Sequence, residues 1–134
     1  MIGNSTEILV VEDSLIRGTT FRRQARILRN AGATEVHLRI TCPPTLNACY
    51  YGIDFPSKDE LVAGRLKSID AIEQYLGVDS LGYLSVEGLL ASVSKPAHHY
   101  CTACWTGKYP IPPIDQMNKY GMEQQEGRGK RHRA

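Results

Sequence analysis

The sequence predicts an α/β fold, a parallel sheet with flanking helices, followed by a helical C-terminal segment. Three runs carry that prediction. Ile8-Leu9-Val10-Val11 is a short, continuous, β-branched apolar run ended by turn residues, the pattern of a strand buried on both faces. Phe21 to Ala31 is amphipathic at helical spacing. Phe21, Ala25 and Leu28 share one face, with Ile27 and Ala31 at its margin, and Arg22, Arg23, Arg26, Arg29 and Asn30 share the other. Glu35-Val36-His37-Leu38-Arg39-Ile40 is a second strand pattern, stopped by Pro43-Pro44.

Strand, tight loop, helix and strand make one βαβ unit, whose strands should be parallel, adjacent and joined by a right-handed crossover. Gly32 supplies the helix stop. Residues 45–57 read as loop. Ser57 to Leu66 reads as a helix opened by a Ser57–Glu60 capping box, and Ser68 to Leu76 as a second, with Ser68 as N-cap and Gly77 as stop. Leu81 to Leu84 reads as extended, and Ser85 as the cap of a helix running to about Val93. Residues 94–115 are loop-rich. The expected division is a folded part, 1–115, and a disordered basic tail, 116–134, in a chain with more helix than strand and no internal repeats.

The 134 residues, 42% hydrophobic and 22% charged, suit one domain or a piece of one. A net charge of +2 is too small to argue for nucleic acid, and much of it sits in Arg128-Gly129-Lys130-Arg131-His132-Arg133, a solvated run. No apolar stretch approaches the ~20 residues of a membrane helix, and the N-terminus does not read as a signal peptide. The chain is therefore expected to be cytoplasmic, with four cysteines used for metal, catalysis or burial rather than structural disulfides.

The chemistry concentrates in Glu12-Asp13-Ser14-Leu15-Ile16-Arg17-Gly18-Thr19-Thr20. Two carboxylates stand at the C-terminal end of a parallel strand, where open α/β sheets place ligands. A turn of small and hydroxyl residues follows, with Gly18 free to take positive φ. A helix beginning at Thr19 or Thr20 aims its unpaired N–H groups and positive dipole end into that turn, which makes an anion site. Carboxylates beside a phosphate suit ribose hydroxyls, a hydrated Mg²⁺ or a developing cationic sugar. The loop matches neither the Walker pattern nor Gly-x-Gly-x-x-Gly.

Cys101-x-x-Cys104 puts two thiols within reach of one metal, with Cys49 in a separate loop. Spacing alone leaves three readings open: zinc completed by His98 or His99, an iron–sulfur cluster, or free thiols. Cys42 reads as an ordinary buried or loop thiol, and His37 as a hydrogen-bonded, half-buried strand residue. Tyr50, Tyr51, Tyr83 and Trp105 read as packing, since they lack the basic interleaving of a nucleobase platform.

The run from Val10 to Thr20 resembles the phosphoribosyl-pyrophosphate signature of type I phosphoribosyltransferases. Further blocks narrow the resemblance to the amidophosphoribosyltransferase family. They include Cys49-Tyr50-Tyr51-Gly52-Ile53-Asp54, Asp79-Ser80-Leu81-Gly82-Tyr83-Leu84-Ser85 and Tyr100-Cys101-Thr102-Ala103-Cys104-Trp105-Thr106-Gly107-Lys108-Tyr109-Pro110. The resemblance covers roughly residues 8–110. It implies the C-terminal part of a type I phosphoribosyltransferase domain and an enzyme in which glutamine-derived ammonia attacks C1 of phosphoribosyl pyrophosphate.

In that likeness Glu12 and Asp13 hold ribose hydroxyls and hydrated Mg²⁺, and Ser14 to Thr20 hold the 5′-phosphate. The acidic pair is usually Asp-Asp, and Glu12 is one methylene longer. No residue of this chain is carried over as a covalent catalyst. Cys49, Cys101 and Cys104 match ligands of a [4Fe–4S] cluster whose fourth ligand, in the family, lies upstream of the loop. The family's N-terminal glutaminase part, pyrophosphate loop and mobile loop also lie upstream. The resemblance thus leads us to expect a truncated chain, inactive alone, from an enzyme that works as a homo-oligomer without nucleic-acid or membrane partners.

Overall fold

The structure, a computed structural model, describes residues 6–53 and 58–111. Strand β1, Thr6–Glu12, leads through the acidic loop into helix α1, Thr19–Asn30, and strand β2, Ala33–Ile40. A long crossover carries a 3₁₀ turn at Lys58–Glu60, helix α2 at Val62–Leu66 and helix α3 at Ile69–Leu76, and ends in strand β3, Ser80–Tyr83. Helix α4, Val86–Ala91, a 3₁₀ turn at Ala97–His99 and helix α5, Ala103–Thr106, follow. The three strands form one parallel sheet in the order β1-β2-β3, with Ile8 opposite Val36, Val10 opposite Leu38 and Leu38 opposite Leu81. This is the α/β architecture the sequence predicts.

The core lies on one face of that sheet. Helices α1 and α3 pack together there. Phe21 and Ala25 of α1 and Ile72 and Leu76 of α3 are buried against Val36, Leu38, Ile40 and Leu81. Burying each large apolar side chain contributes about 1.5–3 kcal/mol. The expectation that β1 is buried on both faces fails. Ile8 and Val10 pack against the core, but Leu9 is 61% exposed and Val11 59%. The reason is that α1 and α3 share a face, and among the described residues nothing comparable covers the other.

Local signals set the helix ends. Gly32, at φ 107, ends α1 and donates its N–H to Arg29 O at 3.0 Å. Ser68 Oγ accepts from Ala71 N at 3.2 Å, and Gly77 closes α3 in the left-handed conformation. Ser85 Oγ accepts from Gly88 N at 2.9 Å, but α4 ends at Ala91, short of the expected Val93. The helix expected from Ser57 to Leu66 is broken. Leu61, fully buried and with extended backbone, separates the 3₁₀ turn from α2. Burial of Leu61 and a hydrogen bond from Val62 N to Ile16 O (2.8 Å) hold the chain out of continuous helix. Ser57 of the expected capping box, and the expected tail 116–134, lie outside the described residues. Helix α5 falls in a stretch that reads as loop.

Asp79 ties the far end of the sheet together. Its carboxylate accepts from Val36 N at 2.6 Å and from the Arg29 guanidinium, and Arg29 also donates to Thr34 O. The Val36 N–H, and after it Arg29, hold the carboxyl below the usual carboxylate range against a partial upward push from burial. Among the described residues no helix is long and apolar enough to cross a membrane.

Candidate functional site

All nine residues from Glu12 to Thr20 line one cavity of about 330 Å³ at the C-terminal end of β1. Phe21 and Gln24 complete its wall. Glu12 is the last residue of β1, and its carbonyl accepts from Thr41 N at 2.9 Å and Thr41 Oγ1 at 3.3 Å. Those bonds fix the strand end from which both carboxylates project. Ser14 Oγ donates to Asp13 Oδ1 at 3.3 Å. Leu15 turns into the core and anchors the loop.

Gly18 is the helix N-cap, at φ 74 and ψ −4, and no side chain caps α1. A side chain here would be strained by the left-handed backbone, and its Cβ would stand 3.1 Å from Leu76 Cδ2 and 3.2 Å from Tyr75 Cε1. The N–H groups of the first turn have no intrahelical acceptor. With the dipole end they make the cavity a seat for an anion, and no carboxylate occupies the first turn of α1.

The crossover holds the loop from behind. Arg17 Nε bonds Glu60 Oε2 at 2.9 Å, and Ile16 O accepts from Val62 N. Arg22 and Arg65 place their guanidinium carbons 5.0 Å and 4.9 Å from the Tyr75 ring centroid. As site residues Phe21, Gln24, Glu60 and Tyr75 go unmarked in the sequence reading, where Phe21 is a core-face residue and Glu60 part of a capping box. Gln24, one helical turn beyond Thr20, is within reach of a helical-face argument; Glu60, 43 residues from Arg17, is not.

The cysteines gather elsewhere. Cys42, Cys49 and Cys104 are half-buried and Cys101 is exposed, all as free thiols. Cys104 O accepts from Leu46 N at 3.0 Å and Asn47 N at 2.9 Å, which pins the 46–49 segment onto α5. Tyr51 N donates to Cys49 Sγ at 3.4 Å, and the Tyr50 and Tyr51 rings meet Tyr109 edge-on at 5.2 Å and 6.0 Å. Burial, and then the neighbouring Cys49, push the Cys104 thiol up to about 11, with Cys101 and Cys42 adding to the effect. The other three thiols therefore lie within electrostatic reach of Cys104.

Among the described residues no three groups that include a cysteine bring their ligand atoms within 4.8 Å of one another. A single zinc ion completed by His98 or His99 is thus not preassembled. Cys49, Cys101 and Cys104, the three ligands of the resemblance, are free thiols, the ligand type an iron–sulfur cluster takes. Cys42 is half-buried with its thiol 3.4 Å from Pro43 O, as expected of a loop thiol. At the other site, two carboxylates beside an anion seat are a donor set of the kind Mg²⁺ takes from protein.

Comparison with known proteins follows the same lines. No protein-family model matches the chain. It is 49% identical over 112 residues to the amidophosphoribosyltransferase of Synechocystis, covering 84% of this chain and 22% of that protein. It is 46% identical over 114 residues to the chloroplastic amidophosphoribosyltransferase 2 of Arabidopsis thaliana, covering 85% of this chain and 20% of that protein. Among solved structures, the glutamine phosphoribosylpyrophosphate amidotransferase of B. subtilis, in complex with ADP and GMP, superposes with a TM-score of 0.73 at 44% identity. That match covers 82% of this chain and 25% of that one.

Proposed function

We propose, for a chain that belongs to the amidophosphoribosyltransferase family and spans about a fifth of the length of its relatives, that residues 12–20 bind the 5′-phosphate and ribose of phosphoribosyl pyrophosphate. The observation that carries this reading is the single cavity walled by that contiguous run, closed on one side by the uncapped start of α1. The first-turn N–H groups and the hydroxyls of Ser14, Thr19 and Thr20 hold the phosphate. Glu12 and Asp13 face the sugar, accept from its hydroxyls and hold Mg²⁺ through water.

The reaction of the whole enzyme forms a bond from ammonia nitrogen to C1 and breaks the bond from C1 to the pyrophosphate oxygen. Phosphoribosylamine and pyrophosphate leave, at the entry to purine nucleotide synthesis. This chain's share is to orient the sugar and to place negative charge beside a ring that becomes positive. Cys49, Cys101 and Cys104 are the residues that would hold a [4Fe–4S] cluster with one ligand from outside this set. Such a cluster would tie α5 to the 46–49 segment.

Isothermal titration of the 134-residue chain with phosphoribosyl pyrophosphate and Mg²⁺ tests the binding. Saturable heat that Asp13→Asn weakens and inorganic phosphate competes away supports it; absence of heat in the presence of Mg²⁺ sinks it. We expect no ammonia-dependent pyrophosphate release from this polypeptide by itself. The second reading is phosphate binding without catalysis, for which the anion seat at the start of α1 suffices. Release of pyrophosphate on adding a polypeptide with the rest of a relative's length would exclude it.

A further inference from the structure

The outer face of the sheet carries a second cluster that the sugar-phosphate reading does not use. Glu7 on β1 and Glu35 on β2 are direct register partners, and the register shifts between Thr6 and Glu7. An irregularity of that kind re-aims side chains. Here it leaves two carboxylates opposite one another, which repel unless something positive lies between them. His37, two residues along β2 on the same face, places Nε2 3.2 Å from Glu35 Oε2. One ligand atom from each of Glu7, Glu35 and His37 lies within 4.8 Å of the others.

The surroundings suit a ligand histidine. His37 Nδ1 is 2.8 Å from Ser80 Oγ on β3. Ser80 Oγ also accepts from Arg39 Nη1 at 3.0 Å; when it takes the Nδ1–H of His37 as well, Nε2 is left bare, which is how metal-bound histidines are oriented. His37 is half-buried and both glutamates are exposed, so a cation has open access with the imidazole already held.

We propose that Glu7, Glu35 and His37 bind one divalent first-row transition cation, with water completing its shell. Two carboxylates and one imidazole form a mixed oxygen–nitrogen set suited to Zn²⁺, Mn²⁺, Fe²⁺ or Co²⁺, unlike the thiols around Cys104. The cation neutralises the opposed carboxylates. It also ties β1 to β2 at the end of the strand opposite Glu12 and Asp13. This site stands or falls independently of the sugar-phosphate site.

The test is Co²⁺ titrated into the chelator-treated full chain under reducing conditions, followed by visible absorption and by paramagnetic broadening of backbone amides. The expected result is one saturable site with ligand-field bands free of sulfur-to-cobalt charge transfer, and with the amides of Glu7, Glu35 and His37 broadened first. His37→Gln and Glu7→Gln should each weaken it at least ~10-fold, while Glu87→Gln on α4 leaves it unchanged. Absence of a saturable site overturns the proposal. So does broadening centred only on the cysteines or on Glu12 and Asp13, or unchanged affinity in both variants. The broadening map uses the unmutated chain and does not depend on any variant folding.

Discussion

The two faces of the sheet put the same strand to different uses. Ile8 and Val10 pack on the helices, while Leu9 and Val11 between and beyond them stand 61% and 59% exposed. The covered face joins α1, α3 and the phosphate loop into one packed unit. The outer face holds polar groups, Glu7, Glu35, His37 and Arg39, around an apolar strip on an edge strand. Stability and the candidate site therefore belong to one face. The other offers exposed apolar surface for association, beside an edge of β1 that no described strand pairs.

The largest test of this contrast is Leu38→Ala. Leu38 is fully buried on the covered face, and truncation should cost about 2–5 kcal/mol in denaturant unfolding. A loss no greater than that of Leu9→Ala would erase the distinction between the faces. Next comes Gly18→Ala, where a left-handed backbone should cost about 1–2 kcal/mol. Crowding against Tyr75 and Leu76 should reshape the loop as well. Calorimetry should show heat with phosphoribosyl pyrophosphate lost, and intact binding would mean the loop tolerates a shifted glycine.

A smaller effect is expected at Asp79. Its carboxyl is held below the ordinary range, by Val36 N–H first and then by Arg29. The stabilisation is therefore present above the unfolded carboxylate pKa of about 4, and disappears as pH falls through the lower folded value. Asp79→Asn should flatten that acid limb in pH-dependent melts and cost no more than ~1 kcal/mol at neutral pH, the pair being part-exposed. A rise in stability with falling pH would contradict the sign. The smallest change in folding belongs to Leu9→Lys on the outer face, within about 0.5 kcal/mol. It should nevertheless reduce self-association in gel filtration. An unmutated chain that elutes as a monodisperse monomer would show the open edge to be harmless.

What could be read in the sequence was contiguous. The Glu12–Thr20 run, the arginine face of α1 and the stops at Gly32 and Gly77 each depend on residues a few places apart. Strand–loop–helix geometry does the rest, bringing all nine loop residues around one cavity. The misses have a different range. Arg17 meets Glu60, Gly18 meets Tyr75, and Leu61 splits a helix because it is fully buried with extended backbone. The bare outer face was also illegible. Four apolar residues in a row signal a strand, but whether one or both of its faces are covered depends on where distant helices pack. Glu7 and Glu35 become neighbours only through the register of β1 on β2.

The backward ties of the phosphate loop carry a consequence for the order in which this molecule matures. Ile16 is held by Val62, Arg17 by Glu60, and Gly18 lies against Tyr75 and Leu76. A nascent chain that has emerged only as far as Ile40 contains the acidic pair, the glycine and the helix, yet none of the groups that mould the turn. The cradle is finished by its own downstream sequence. Occupancy by a sugar phosphate should accordingly slow amide hydrogen exchange in α2 and α3, distant in sequence from every atom that touches the ligand.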